Sequence, residues 1–204
     1  MTDLTIEPVL ERLTSVLRAK APQVWASLRP SATDSDLDEL RRTIAPHEIP
    51  TDLAALLRWA DGQADGAPWW PSMECGPLLN ARRAAEHYTW LRENVEDWQW
   101  SAAWLPIAHE GWNQAAFEIA AAGPGVVIDV SFPDAASLLA PTLAAMLDIT
   151  ADMLDAGITQ EAFDDARVWR ARRAELSDQR PEWRLSPYPR IVATTIADWP
   201  AHWR

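Results

Sequence analysis

Three short alternating segments stand in a row near the middle of this chain, and they restrict its fold more than any other feature. "WLPIAH" (104–109) sets Leu105 and Ile107 against Pro106 and Ala108. "QAAFEIA" (114–120) sets Ala115, Phe117 and Ile119 against Ala116, Glu118 and Ala120. "GVVIDVSF" (125–132) sets Val126, Ile128 and Val130 against Val127 and Asp129. Successive side chains of a strand point to opposite faces, so each segment predicts a strand. "AAGPG" between the second and third is a turn signal, and the two read as a hairpin. A register that puts Phe117 and Ile119 on one face with Val126 and Ile128 brings Glu118 and Asp129 together on the other.

Helical periodicity brackets this meander. "LTIEPVLERLTSVLRAK" (4–20) spaces Leu10, Leu13 and Leu17 on one stripe, with Pro8 in the first turn. "APQVWASLRPSAT" (21–33) reads as a loop anchored by Trp25. "TDSDLDELRRTIAP" (33–46) is a short helix with acids in its first turn, where the helix dipole favours them. "EIPTDLAALLRWADGQ" (48–63) is opened by Pro50 and given a left-handed stop by Gly62. A Gly/Pro-rich loop follows, and then "LLNARRAAEHYTWLRENVEDW" (78–98) returns to helix with Asn80 as cap and Ala84, Tyr88, Leu91 and Val95 inward. After the strands, "SLLAPTLAAMLDITADMLDAG" (137–157) reads as one helix and "TQEAFDDARVWRARRAEL" (159–176) as another. The Pro-rich tail carries a short strand at 190–194 and a terminal turn at 196–203. Helices, then strands, then helices predict an α+β fold: an antiparallel or mixed sheet of about four to six strands flanked by helices.

The net charge is −12, and it divides evenly between the two halves, but the average hides a sharper feature. From Glu93 to Ala166 there are 13 acidic residues and no Lys or Arg. Such a stretch does not neutralise phosphates, which argues against nucleic acid as partner and favours a basic one. Basic residues are 17 Arg against the single Lys20, as a GC-rich genome gives. No apolar run reaches the roughly 18 residues of a membrane span, and the N-terminus lacks a basic region before an apolar core, so no membrane and a cytoplasmic protein are expected. The one cysteine, Cys75, excludes an internal disulfide and a Cys-rich zinc site.

Signatures of chemistry are missing. There is no GxGxxG, no GxxxxGK[ST], no GxSxG and no HExxH. The four histidines are His47, His87, His109 and His202, and none stands four residues from another. Of the juxtapositions of catalytic residue types, His109–Glu110, at a strand end, is the one worth noting. Glu118 and Asp129, if neighbours, resemble the carboxylate pairs of glycosidases. Two acids on the outer face of a hairpin are more often a solvated or partner-facing surface. The expectation is therefore no enzyme, no cofactor and no metal. Tryptophan is abundant, at 13 residues, and four of them (Trp98, Trp100, Trp104, Trp112) fall within "EDWQWSAAWLPIAHEGWN". Base-stacking platforms interleave aromatics with Arg or Lys, whereas these are interleaved with Glu and Asp. Core or protein-interface roles fit better, with Trp104 assigned to the core.

The stretch from about Asp34 to Gly157 resembles the SMI1/KNR4 family, also called the SUKH superfamily. "DLDELRRTIAPHEIPTDLAALLRWADGQ" is similar to that family's opening pair of helices, "WLPIAHEG" to its W-(I/L)-P-(I/F)-A strand and Gly turn, "FEIA…GPGVVIDV" to its next two strands, and "LAPTLAAML" to its closing helix start. It departs where the family often has DGSGD after the strand and this chain has "HEGWN", with Trp112 in a turn that usually carries small polar residues. The resemblance implies an N-terminal helical extension (1–33), an SMI1/KNR4-like domain (34–157), and a C-terminal helical and Pro-rich extension (158–204) packed on it. It also implies a non-enzymatic protein-binding module, foremost an immunity protein that neutralises a bacterial toxin by non-covalent blockade, with a basic toxin domain such as a nuclease as partner. A regulatory scaffold of the same fold is the alternative, and a carbohydrate binder or glycoside-processing protein a third. The partner-binding residues expected are Glu96, Asp97, Trp98, Trp100, Glu110, Trp112, Glu118, Asp129 and Asp134.

Overall fold

Leucines and valines three and four apart draw the N-terminal segment into helix α1 (Ile6–Lys20). In the computed structural model, which describes residues 5–71, 76–96, 100–111, 113–119, 125–131 and 135–157, α1 buries Ile6, Val9, Leu10, Leu13, Val16 and Leu17. The segment after it is not all loop. Pro22–Ser27 forms a short helix, α2, because Pro22 supplies a preset φ in the first turn, where its missing N–H has no partner to lose. Helix α3 (Asp34–Ile44) starts in a capping box: the Thr33 hydroxyl accepts from the Asp36 N–H, and the Asp36 carboxylate accepts from the Thr33 N–H.

Helix α4 (Thr51–Trp59) follows Pro50 and ends three residues before Gly62, so that glycine does not stop it. Gly62 has another task. Its φ is 66°, and a Cβ there would lie 2.5 Å from the backbone of Leu79 and Asn80. Two chain segments cross at this point, and the residues on either side of Gly62 fasten them. The Gln63 side-chain Oε1 accepts from the Leu78 N–H at 2.8 Å, and its Nε2 donates to Ser27 Oγ at 2.9 Å and to the Pro68 carbonyl at 3.0 Å. The Asp61 carboxylate accepts from the Ala81 N–H at 2.8 Å. Burial pushes the Asp61 carboxyl up, and that hydrogen bond and nearby Arg29 pull it back.

Helix α5 (Ala81–Asn94) therefore begins with two of its orphan donors satisfied: Ala81 by Asp61, and Arg83 by the side chain of its N-cap, Asn80. Ala84, Tyr88 and Leu91 turn inward as expected.

Four strands follow: β1 (Trp104–Glu110), β2 (Asn113–Glu118), β3 (Val127–Ser131) and β4 (Ala135–Ala140). They form one antiparallel sheet in the order β1-β2-β3-β4, so the fold is α+β with the expected hairpin between β2 and β3. Strand β4 corrects the reading of 137–157 as a single helix. Pro141 holds the residue before it extended, β3 offers a free edge, and helix α6 (Leu143–Asp155) starts only at Thr142, whose hydroxyl accepts from the Ala145 N–H. The β2–β3 register is also one residue away from expectation. Phe117 stands opposite Val127, Ala116 opposite Ile128, and Ala115 opposite Asp129. Glu118 thus points to the face of Ala116 and Ile128, and Asp129 to the face of Ala115 and Phe117. The two carboxylates lie on opposite sides of the sheet, which removes the pair.

Each sheet face has its own core. Leu105, Ala115, Phe117 and Val127 join the helices α1, α3, α4 and α6 in the larger one. The other holds Leu91, Trp100, Trp104, Ala116, Ile128 and Val130, with the two indoles edge to face at 5.6 Å. A bulge at Pro106–Ala108 keeps Leu105, Ile107 and Ala108 all on the larger core. Helix α1 closes that core by packing along α6. Arg12 on α1 donates to Asp148 and Asp152 at 2.5 Å each and to Asp155 at 3.1 Å. No helix of the described residues is long and apolar enough to cross a membrane. The expected helix at 159–176, the strand at 190–194 and the terminal turn lie outside the described residues.

Candidate functional site

Beyond the bulge the face assignment of β1 resumes, with His109 opposite Gln114 on the side of the smaller core. This is the turn end of the β1–β2 hairpin, next to Gly111 in the turn, whose φ of 57° suits glycine. Helix α5 runs past the same end and supplies His87 and Trp90. The three rings form a ladder. Trp90 lies parallel to His87 at 5.8 Å and 5°, and His87 lies over His109 at 4.1 Å and 19°.

Hydrogen bonds set the ladder's geometry. Gln114 is buried at 2% exposure. Its Oε1 meets His87 Nε2 at 2.9 Å, and its amide turns toward the Gly111 carbonyl. An amide oxygen accepts, so the proton of His87 is assigned to Nε2. His109 Nδ1 is enclosed and, among the described residues, has no hydrogen-bond partner. Burial and the neighbouring His109 hold His87 down at about 4, and burial with nearby Arg83 lowers His109 too. Both imidazoles are therefore neutral near pH 7. Their rings are stacked flat, so their in-plane nitrogens do not converge on a common point. Among the described residues no group of three or more His, Cys, Asp or Glu could hold a metal ion.

The outer rung is the exposed one. Trp90 is 47% exposed, the sole large apolar side chain so exposed among the described residues. Glu86 and Glu93, four residues before and three after it, are exposed on its flank of α5. An exposed indole braced from behind by a stacked ring is rigid, which lowers the entropy lost when a partner covers it.

The residues expected at a partner surface divide. Trp100 is 1% exposed and Glu118 is 6% exposed, so both belong to the interior. Trp100 fills the smaller core because that sheet face needs bulk that Ala116 does not provide. Asp129 is half-buried on the other face of the sheet, away from the ladder. Glu96 is exposed just after α5, and Glu110 ends β1 opposite Asn113, next to His109. Asp97, Trp98, Trp112 and Asp134 lie outside the described residues. Trp104 is core, as expected. Trp90 and His87 escaped the sequence reading. Their signal was present: with Tyr88 and Leu91 inward, residue 90 falls outside the apolar stripe of α5. No protein-family model matches the chain, and no curated protein matches it.

Proposed function

We propose that the chain is a protein-binding module that takes a basic protein as partner, and that the partner is a toxin which the chain neutralises by covering it. The observation that carries this reading is the exposed, ring-braced Trp90, with Glu86 and Glu93 exposed beside it on α5 and Glu96 exposed just after that helix. An acidic surface around an aromatic anchor speeds encounter with a cationic surface and holds it once water is excluded. The resemblance to the SMI1/KNR4 family points the same way, since its bacterial members include immunity proteins, and such a protein would work in the cytoplasm. A regulatory scaffold of the same fold would use the same surface for a different partner. The carbohydrate reading has lost its carboxylate pair, because Glu118 and Asp129 face opposite sides of the sheet.

The test is co-expression of the chain with the product of the adjacent gene, followed by purification of the two together. Neutralisation predicts rescue of growth and a one-to-one complex that weakens as salt rises. No rescue together with no complex would discard the toxin reading.

A further inference from the structure

We infer that the solvent face of Trp90 receives an arginine side chain of the partner. The inference rests on the reading of the chain as a module for a basic protein, and it names the contact.

Among the described residues the indole is stacked on one side only. His87 lies parallel to it at 5.8 Å, and the side chain remains 47% exposed. The groups around the ring favour a cation. Glu86 at i−4 and Glu93 at i+3 stand one helical turn before and after Trp90, both exposed. Trp90 is in the last turns of α5, whose carbonyl end carries the negative pole of the helix dipole. The cations of α5 are engaged or turned away. Arg83 is paired with Asp65, and Arg82 lies 3.8 Å from Glu86 without neutralising Glu93. Arg92 is about 200° round the helix from Trp90, on the side of Tyr88. The ring beneath the indole is a neutral imidazole, held by Gln114, so it places no competing charge there.

A guanidinium suits this site better than an ammonium. It is planar, lies flat on an indole, and its fork reaches a carboxylate at the ring's edge while stacked. Lysine would gain the electrostatic attraction without the stacking.

The experiment uses the full chain labelled with ¹⁵N and a capped Gly-Arg-Gly-Arg-Gly peptide as probe, with Lys and Glu versions as controls. The Trp90 indole N–H signal is identified as the one lost in Trp90→Phe. The Arg peptide is expected to shift that signal and to bind about two- to fivefold more tightly than it does to Trp90→Ala, the span given by a cation–π contact at an exposed site. The Lys peptide is expected to bind more weakly and the Glu peptide to leave the signal in place. Trp90 is at the surface, so Trp90→Ala should keep its circular dichroism spectrum. Equal affinity for wild type and Trp90→Ala, or shifts confined to other residues, overturns the inference and leaves the basic-partner reading standing. A Trp90 shift in a chain that forms no complex with the adjacent gene product supports the inference and sinks the toxin reading alone.

Discussion

His87→Phe separates the electrostatics of the ring ladder from its packing. The substitution keeps an aromatic ring between Trp90 and His109 and removes the titrating nitrogen and the hydrogen bond to Gln114. Near pH 7 it leaves Gln114 Oε1 without that partner in a buried position, at a loss of about 1–3 kcal/mol. Acid should shrink that loss. His87 titrates at about 4 in the fold against 6.5 in a free chain, so the unfolded chain binds the proton first. The neutral ring's contribution is complete above about pH 6.5 and disappears as pH falls toward about 4. At about 1.4 kcal/mol per unit the ceiling is about 3.4 kcal/mol, and solvent reaching this part-exposed ring cuts it to about 1–2 kcal/mol. Asp52 and Asp61 act in the opposite sense, since burial raises both carboxyls and their protonation favours the fold. Taking the difference between wild type and variant cancels them. Urea unfolding followed by circular dichroism at about pH 7, 6, 5 and 4.5 should therefore show the gap between the two proteins narrowing by about 1–2 kcal/mol. A gap that stays constant over that range refutes the neutral-imidazole argument.

Four further substitutions probe the frame that holds the ladder. Arg12→Met leaves Asp148, Asp152 and Asp155 facing one another without their shared cation, and should lower stability by about 1–2 kcal/mol in urea unfolding, with part of the loss recovered at high salt; an unchanged midpoint would show that the α1–α6 contact is held by its apolar residues alone. Gly62→Ala forces a side chain into backbone at 2.5 Å with φ at 66°, so a thermal melt should fall by an amount equal to about 2 kcal/mol or more, and a melt within error of wild type would mean the crossing has room to open. Glu118→Lys puts an ammonium into the smaller core, whereas Asp129→Lys puts one at a half-buried site; denaturation should find the first worse by about 2 kcal/mol or more, and equal losses would contradict the register described for β2 and β3.

Elements with long apolar periodicity were legible in the sequence. The stripes of α1, α3, α4 and α5 have their leucines where spacing places them, and Asn80 caps α5 as its side chain predicts. Short segments were harder, because their state is decided by neighbours. Ala135–Ala140 carries no alternation and becomes a strand only because β3 presents an edge. The hairpin register turned on a single residue, and that residue decided whether Glu118 and Asp129 meet. At the candidate site, "HEGWN" carries His109, one rung of the ladder, at its first position. His87, 22 positions earlier on a helix, could not be joined to it from spacing, since only tertiary packing stacks the two rings.

The docking of α1 on α6 sets a schedule for the growing chain. Arg12 finds its aspartates 136 to 143 residues downstream. At synthesis rates of about 5–20 residues per second, α1 waits on the order of 10 s after leaving the ribosome before α6 exists to cover it. Through that interval Leu13 and Leu17, which end up fully enclosed, lack the cover of α6. The first segment made is thus among the last to settle, and a nascent chain held short of residue 143 should be bound by chaperones through α1, whereas a chain released beyond Asp155 should not.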